Sequence, residues 1–219
     1  MNLIFCYSSA MTLVLASGNP HKREELTALF QGHTLLLPQD LGVVYHHEET
    51  GSTFLENSLG KASTLYRQLL EVGQTGYLVL ADDSGLSIPA LGGEPGVYSA
   101  RFGEKELGRK PTYAEQHQLL LERMRFITDR KAFFICCMVL MIHPDRWFVA
   151  QETLEGEIAP MPRGAGGFGY DPLLYLPWEG RTVAELSLEE KNALSHRGAA
   201  ARAIRAILEK HLENDHEST

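Results

Sequence analysis

Two short apolar runs, TLVLA at residues 12–16 and YLVLA at residues 77–81, constrain the fold of this chain more than any other feature. Past its first residue, neither holds a polar side chain, the mark of strands buried on both faces. The first run leads directly into Ser17-Gly18-Asn19-Pro20 and a helical stretch at residues 21–31. Asn19 suits an N-cap, where its side chain accepts from free backbone N–H groups. Pro20 suits the first helical position, whose N–H has no partner to lose. A second short strand is expected at residues 35–37. Thr53-Phe54-Leu55-Glu56 is a capping box that opens a long helix, with Leu55, Leu59, Ala62, Tyr66 and Leu69 on its apolar face. Strand, turn and helix in this order predict an α/β fold.

The second half adds a different pattern. Pro111 precedes an amphipathic helix at residues 112–126. Two long strand-like runs, residues 132–142 and 147–153, flank a Pro144-Asp145 turn and predict a hairpin. The sheet should therefore be mixed. A glycine-rich loop spans residues 164–170. Ser187-Leu188-Glu189-Glu190 is another capping box, and a last helix from about Ser195 carries Ala200, Ala203, Ile204, Ile207 and Leu208 on one face.

At 219 residues one domain, elongated into two lobes or not, is the default, and we place it at residues 11–213. Residues 1–10 read as a loose extension or a start codon chosen too early. No basic residue precedes Leu3-Ile4-Phe5, and the run is too short for a signal peptide or a span. Residues 214–219 read as a polar, frayed tail. The net charge of −8 argues against coating a nucleic acid polymer or an anionic membrane, but not against a small anion in a locally basic pocket. Cys136 and Cys137 are neighbours in an apolar strand, without metal-type spacing, and read as reduced thiols of a cytosolic protein.

Several segments carry candidate chemistry. The turn at Ser17, Gly18, Asn19, Pro20, His21 and Lys22 leaves backbone N–H groups at a helix start, a site for an anion. Lys22 sits where the helix dipole disfavours a cation by about 0.3–1 kcal/mol, a penalty that a bound anion reverses. A solvated surface lysine fits the same residues equally well. Asp82-Asp83-Ser84-Gly85 follows the second apolar run, at the strand edge where open α/β sheets bind ligands. Two adjacent carboxylates cannot both face a core, and Mg²⁺ is commonly held by one or two carboxylates with phosphates and waters. An ordinary Asp-Ser-Gly turn is the plainer reading.

Asn57 and Lys61, four residues apart on the helix, share the face opposite the apolar stripe, where solvent exposure is the plainer expectation. His46-His47-Glu48-Glu49 is either a source of a metal ligand or polar surface. Residues 164–169 fit G-x-G-x-x-G, but Pro172 prevents a helix in the register of a dinucleotide fold. Phe168 in that loop is either a stacking platform for a nucleobase or a core anchor. Lys191 and Ser195-His196-Arg197 put donors near a helix N-terminus.

Together, LASGNPHKREEL, EETGSTFLENSLGKA, ADDSGLSIPALGGEPGVYSARF, GGFGYDPL and AELSLEEKNALSHRGAA, in this order, resemble the Ham1-like, or inosine triphosphate pyrophosphatase, family. Ser58, where alanine is usual, and Glu94 depart from its pattern. The resemblance implies an elongated mixed-sheet α/β fold with two lobes, a central cleft and a cytoplasmic homodimer. It implies Mg²⁺-dependent hydrolysis of ITP, dITP and XTP to the monophosphate and pyrophosphate. By position, Ser17, Gly18, Asn19, Pro20, His21, Lys22 and Lys61 fall to the triphosphate. Asp83 falls to catalysis and metal, with Glu48 as a second metal carboxylate. Ser84 contacts substrate, and Phe168, Gly169, Tyr170, Asp171, Lys191, His196 and Arg197 form the base side.

Three rivals stand beside this reading. A nucleotide-binding sensor without catalysis is opposed by the retention of Asp83, Glu48 and the lysines. A Maf-like pyrophosphatase for other modified nucleotides is opposed by the Ser-His-Arg and Phe-Gly-Tyr-Asp segments. A general phosphatase would release orthophosphate.

Overall fold

A computed structural model describes residues 10–217 of the protein, with side chains as far as residue 210. The expected extension therefore falls outside the described residues, residue 10 apart, as does the very end of the tail. Along the chain, Thr12–Leu15 form β1, Pro20–Leu29 α1, Thr34–Leu36 β2, Phe54–Glu71 α2 and Leu78–Ser87 β3. Next come α3 (Glu104–Leu107), α4 (Tyr113–Arg123), β4 (Lys131–His143) and β5 (Arg146–Ile158). β6 (Leu174–Leu176), β7 (Arg181–Thr182), α5 (Leu188–Leu194) and α6 (His196–Glu217) close the chain.

The caps are those the sequence predicts. Asn19 Oδ1 accepts from the backbone N–H of His21 at 3.0 Å and of Lys22 at 3.4 Å. Thr53 and Glu56, and Ser187 and Glu190, form reciprocal boxes. Ser195 Oγ accepts from Gly198 N–H at 3.1 Å and starts α6.

The strands form one mixed sheet in the order β2-β1-β3-β4-β5-β6-β7. β1 runs parallel to β2 and β3, and every pairing from β3 onward is antiparallel. Side-chain alternation sorts the core. Leu13, Leu15, Leu78 and Leu80 meet Leu26 of α1 with Ala200, Ile204 and Leu208 of α6 on one face. Val14, Val79 and Ala81 meet Ala62, Leu65 and Leu69 of α2 on the other. A separate cluster at the far end joins Leu86, Leu120, Phe134, Leu154 and Leu174. Each leucine buried this way contributes about 1.5–3 kcal/mol.

Several features differ from the sequence reading. β3 continues through Asp82-Asp83-Ser84-Gly85 to Ser87 instead of ending there, because Phe133 to Met141 of β4 pair with Ser87 to Val79 without a break. α2 buries Asn57, Ser58 and Lys61 and leaves Leu55 38% exposed, since its polar face meets the cleft. α4 ends at Arg123, short of the exposed Phe126. α6 runs past Glu213, where the tail was expected, to Glu217. Cys136 and Cys137 are free and buried, the former in the α1–α6 cluster. Among the described residues no helix is long and apolar enough to cross a membrane.

Candidate active site

The cleft begins where β1 ends. Leu15 pairs with Leu80, and from Ala81 through Leu86 β3 is paired with a strand on its β4 side alone. Asp82, Asp83 and Ser84 therefore stand at the carboxyl edge of the parallel part of the sheet, inside a strand and not in a turn. Alternation then separates the two carboxylates. Asp82 follows Leu80 onto the α1–α6 face, and Asp83 follows Ala81 onto the α2 face.

Asp82 is fully buried, and its Oδ2 meets Lys22 Nζ at 3.1 Å and Arg197 Nε at 3.2 Å. Burial alone would raise its pKa, but Lys22 and Arg197 outweigh burial and hold it well below the usual carboxylate range. Lys22 is thus paired with a buried acid and is not simply solvated. Arg197 is 2% exposed and committed on three sides: Nε to Asp82, Nη1 to Glu25 Oε2 at 2.6 Å and Nη2 to Ser84 Oγ at 2.7 Å.

Asp83 sits among different partners. Asn57 Nδ2 donates to its Oδ2 at 3.0 Å, and Lys61 Nζ lies 3.3 Å from Oδ1. Asn57 is itself held, because its Oδ1 accepts from Gly51 N–H at 2.8 Å. A side chain at Gly51 would bring its Cβ to 2.6 Å from that oxygen. Burial outweighs Lys61, Lys22 and the Asn57 hydrogen bond and pushes the Asp83 carboxyl up. Neighbouring acids with opposite shifts suit different tasks, a fixed charge at Asp82 and a proton acceptor at Asp83.

The second carboxylate of the site is Glu49, not Glu48. Residues 43–49 alternate inward and outward, so Glu48 is exposed while Tyr45, His47 and Glu49 turn inward. Glu49 Oε1 lies 2.8 Å from Lys61 Nζ, and Arg101 Nη1 is 3.6 Å from Oε2. A slip of one residue in an extended segment reverses its face, so the cleft wall carries Glu49 where sequence position pointed to Glu48. Among the described residues, no three or more His, Cys, Asp or Glu side chains gather as metal ligands. Mg²⁺ needs only one or two carboxylates when phosphate oxygens and waters complete its octahedron, so Asp83 with Glu49 fits an ion that arrives with a triphosphate.

Phe168 lies on the glycine-rich loop and Gly167, at φ +69°, precedes it. A Cβ at Gly167 would fall 2.0 Å from Asp171 Oδ2. That oxygen accepts from Phe168 N–H at 2.8 Å and from Lys191 Nζ at 2.6 Å. Asp171 and Lys191 are 4% exposed each, so they shape the loop from inside. Lys191 also pairs with Glu25 at 2.6 Å. His196 is buried against Phe134, with ring centroids 4.9 Å apart, and its Nδ1 has no hydrogen-bond partner in the protein. Burial, followed by Arg197 and Lys191, drives it well below the usual histidine range, so the imidazole is neutral.

One cavity of about 820 Å³ opens among these groups, within the range of small-molecule sites. Ser17, Gly18, Asn19, Lys22, Lys61, Asp83, Ser84, Phe168, Gly169, Tyr170, Asp171, His196 and Arg197 all reach it. Pro20, His21, Lys191 and Glu48 do not line it. The sequence reading left out Glu25 and Asn57 as a partner of Asp83, and it offered Glu49 only within the His46–Glu49 run. Glu25 lies one helical turn beyond Lys22's predecessor His21, on the buried side of α1, and only burial of a charge within an apolar helix face could have signalled it.

The sequence profile of the Ham1 family matches residues 13–207. A Thermus thermophilus protein named dITP/XTP pyrophosphatase is 49% identical over 199 residues, 89% of this chain and 90% of its own length. A Treponema denticola protein of the same name is 44% identical over 194 residues, covering 89% and 96%. Among solved structures, a HAM1 protein from Coxiella burnetii superposes with a TM-score of 0.80 at 40% identity, covering 91% of this chain and 99% of its own. The Staphylococcus aureus Ham1 protein gives 0.79 at 36% identity, with 91% and 99% covered.

Proposed function

Starting from the fact that this chain belongs to the Ham1 family, we propose that it hydrolyses deaminated purine nucleoside triphosphates, dITP, ITP and XTP, to the monophosphate and pyrophosphate. The observation that carries this reading is Asp83: a buried carboxylate with a raised pKa, aimed by Asn57, beside Lys61 and Glu49 in a cavity that also contains the Ser17–Lys22 turn.

Phosphoryl transfer asks a protein for in-line positioning and for neutralisation of charge, and little else. The turn at Ser17, Gly18 and Asn19, with Lys22 and Lys61, holds the phosphates. Asp83 takes the proton of the attacking water at its carboxylate while Asn57 keeps the carboxyl in one orientation. Asp83 and Glu49 would hold Mg²⁺, which supplies positive charge to the phosphate oxygens when bound. Asp82 stays ionised and keeps Lys22 and Arg197 in place.

Deaminated purines carry a 6-carbonyl where adenine carries an amino group. We assign its recognition to the neutral His196 at the cavity wall. Arg197, which the sequence also offered for this, spends three of its donors on Glu25, Asp82 and Ser84. A mismatched buried polar group costs about 1–3 kcal/mol, so each such contact separates bases about 10- to 100-fold. The reading includes a cytoplasmic homodimer, whose mass in solution is measurable by light scattering. Product identification tests the reaction itself: one pyrophosphate and one dIMP for each dITP consumed are expected, and orthophosphate with dIDP in their place refutes it.

A further inference from the structure

The imidazole of His21 lies against the phenyl ring of Phe168, with centroids 5.2 Å apart and planes within 11° of each other. The two rings come from separate segments of the chain. His21 is in the first turn of α1, one residue before Lys22, and Phe168 is on the glycine-rich loop. Phe168 lines the cavity and His21 does not, so the imidazole supports the ring from outside.

The loop needs such support. Gly167 and Gly169, on either side of Phe168, both have positive φ, +69° and +59°. The backbone around them is tied down: Asp171 accepts from Phe168 N–H, and His117 Nε2 donates to the Gly169 carbonyl at 2.7 Å. Those bonds fix the loop but not the torsion of the phenyl group. Its ring is set by three neighbours: Lys191 Nζ at 4.7 Å from the centroid, the Arg197 guanidinium carbon at 5.5 Å, and His21. The two cations are anchored by Glu25 inside the protein. His21 is the exposed member, and the one that belongs to the phosphate turn.

We propose that His21 is a positioning residue for the nucleobase: by stacking on Phe168 it sets the wall against which the base lies, and it joins that wall to the turn that holds the triphosphate. The proposal rests on the reading of the cavity as a purine nucleotide site. Ring–ring contact of this kind is favourable without selecting a base, so His21 should act on affinity for nucleotides as a class.

The test compares wild type with His21→Ala, His21→Tyr, Phe168→Ala and the double alanine variant. Readouts are steady-state kinetics with dITP, calorimetric binding of dITP, and inhibition by inorganic tripolyphosphate. His21→Ala is expected to raise KM and Kd for dITP about three- to tenfold, the worth of one ring–ring contact, with kcat within about twofold. Tripolyphosphate inhibition should be unchanged, since it has no base. His21→Tyr should recover wild-type KM, and His21→Ala should add nothing in the Phe168→Ala background. An unchanged KM, an equal loss of tripolyphosphate inhibition, or multiplying effects in the double variant overturns the proposal. If wild type binds dITP without hydrolysing it, the activity reading alone fails and the binding comparison still decides His21. If wild type does not bind dITP, both fail.

Discussion

Lys61 Nζ stands 3.3 Å from Asp83 Oδ1, on the wall of the cavity, and shares its charge with Glu49 Oε1 at 2.8 Å. With Arg101 Nη1 3.6 Å from Glu49 Oε2, two cations only balance these two carboxylates. A divalent metal carried by a triphosphate would add positive charge at Asp83 and Glu49, and the predictions for these two residues follow from that.

Asp83→Asn keeps the size and the Asn57 contact but removes the proton acceptor. We expect kcat for dITP to fall at least about 100-fold, the low end of general-base catalysis. Stability should hold or rise slightly, because burial already disfavours the Asp83 charge. Urea denaturation and single-turnover assays read both quantities; a rate within about threefold of wild type would remove Asp83 from the mechanism.

Glu49→Gln should raise the Mg²⁺ concentration needed for half-maximal rate about tenfold or more, whereas Glu48→Gln should leave it unchanged. Titration of Mg²⁺ at fixed dITP separates the two neighbours. The opposite ranking would restore Glu48 and set aside the inward face of residues 43–49.

Arg197→Ala should cost about 3–5 kcal/mol of stability, the range for breaking a buried ion pair, because Asp82 and Glu25 lose a buried counter-charge. Arg197→Lys keeps a cation but not the three-way fork and should fall between. Chemical denaturation checks the order; a loss below about 1 kcal/mol for the alanine variant would show that Lys22 and Lys191 suffice.

These expectations mark how far the sequence could be read. Caps and apolar runs located β1, α1, α2 and the hairpin because they depend on neighbours a few residues away. Asp82 and Asp83 were legible as a pair, but not their division of labour, which comes from Lys22 and Arg197 on one face and Asn57 and Lys61 on the other. Lys61 illustrates the general difficulty. Its spacing from Asn57 puts both on one face, yet only the arrival of Asp83 from β3 makes that face buried. Ser58 is similar: its hydroxyl is buried because it donates to the Ala81 carbonyl at 3.2 Å. Glu25 was invisible because its partners, Arg197 and Lys191, lie at the other end of the chain.

His196 gives a pH dependence with a definite sign. Its folded pKa lies well below 6.5, while the unfolded chain titrates it near 6.5. As pH falls through about 6.5, the unfolded state binds the proton first, so stability decreases on acidification. Burial also lowers His33 and His47, which add slope of the same sign, so a variant is needed to isolate His196. Denaturation free energies of wild type and His196→Asn between pH 7 and 5 should converge as pH drops, because only wild type loses the His196 contribution. Parallel curves would contradict a buried neutral imidazole.

The central claim is that this cavity hydrolyses triphosphates of deaminated purines in preference to the standard ones. The direct measurement is kcat/KM for dITP, XTP, dATP and dGTP with the intact chain and Mg²⁺, pyrophosphate and monophosphate being quantified together. The account predicts equal amounts of the two products, and values for dITP and XTP about 10- to 100-fold above that for dATP, which presents a 6-amino group to His196, and above that for dGTP, which shares the 6-carbonyl and must be refused through its 2-amino group. Comparable values for all four nucleotides, or orthophosphate in place of pyrophosphate, would contradict it.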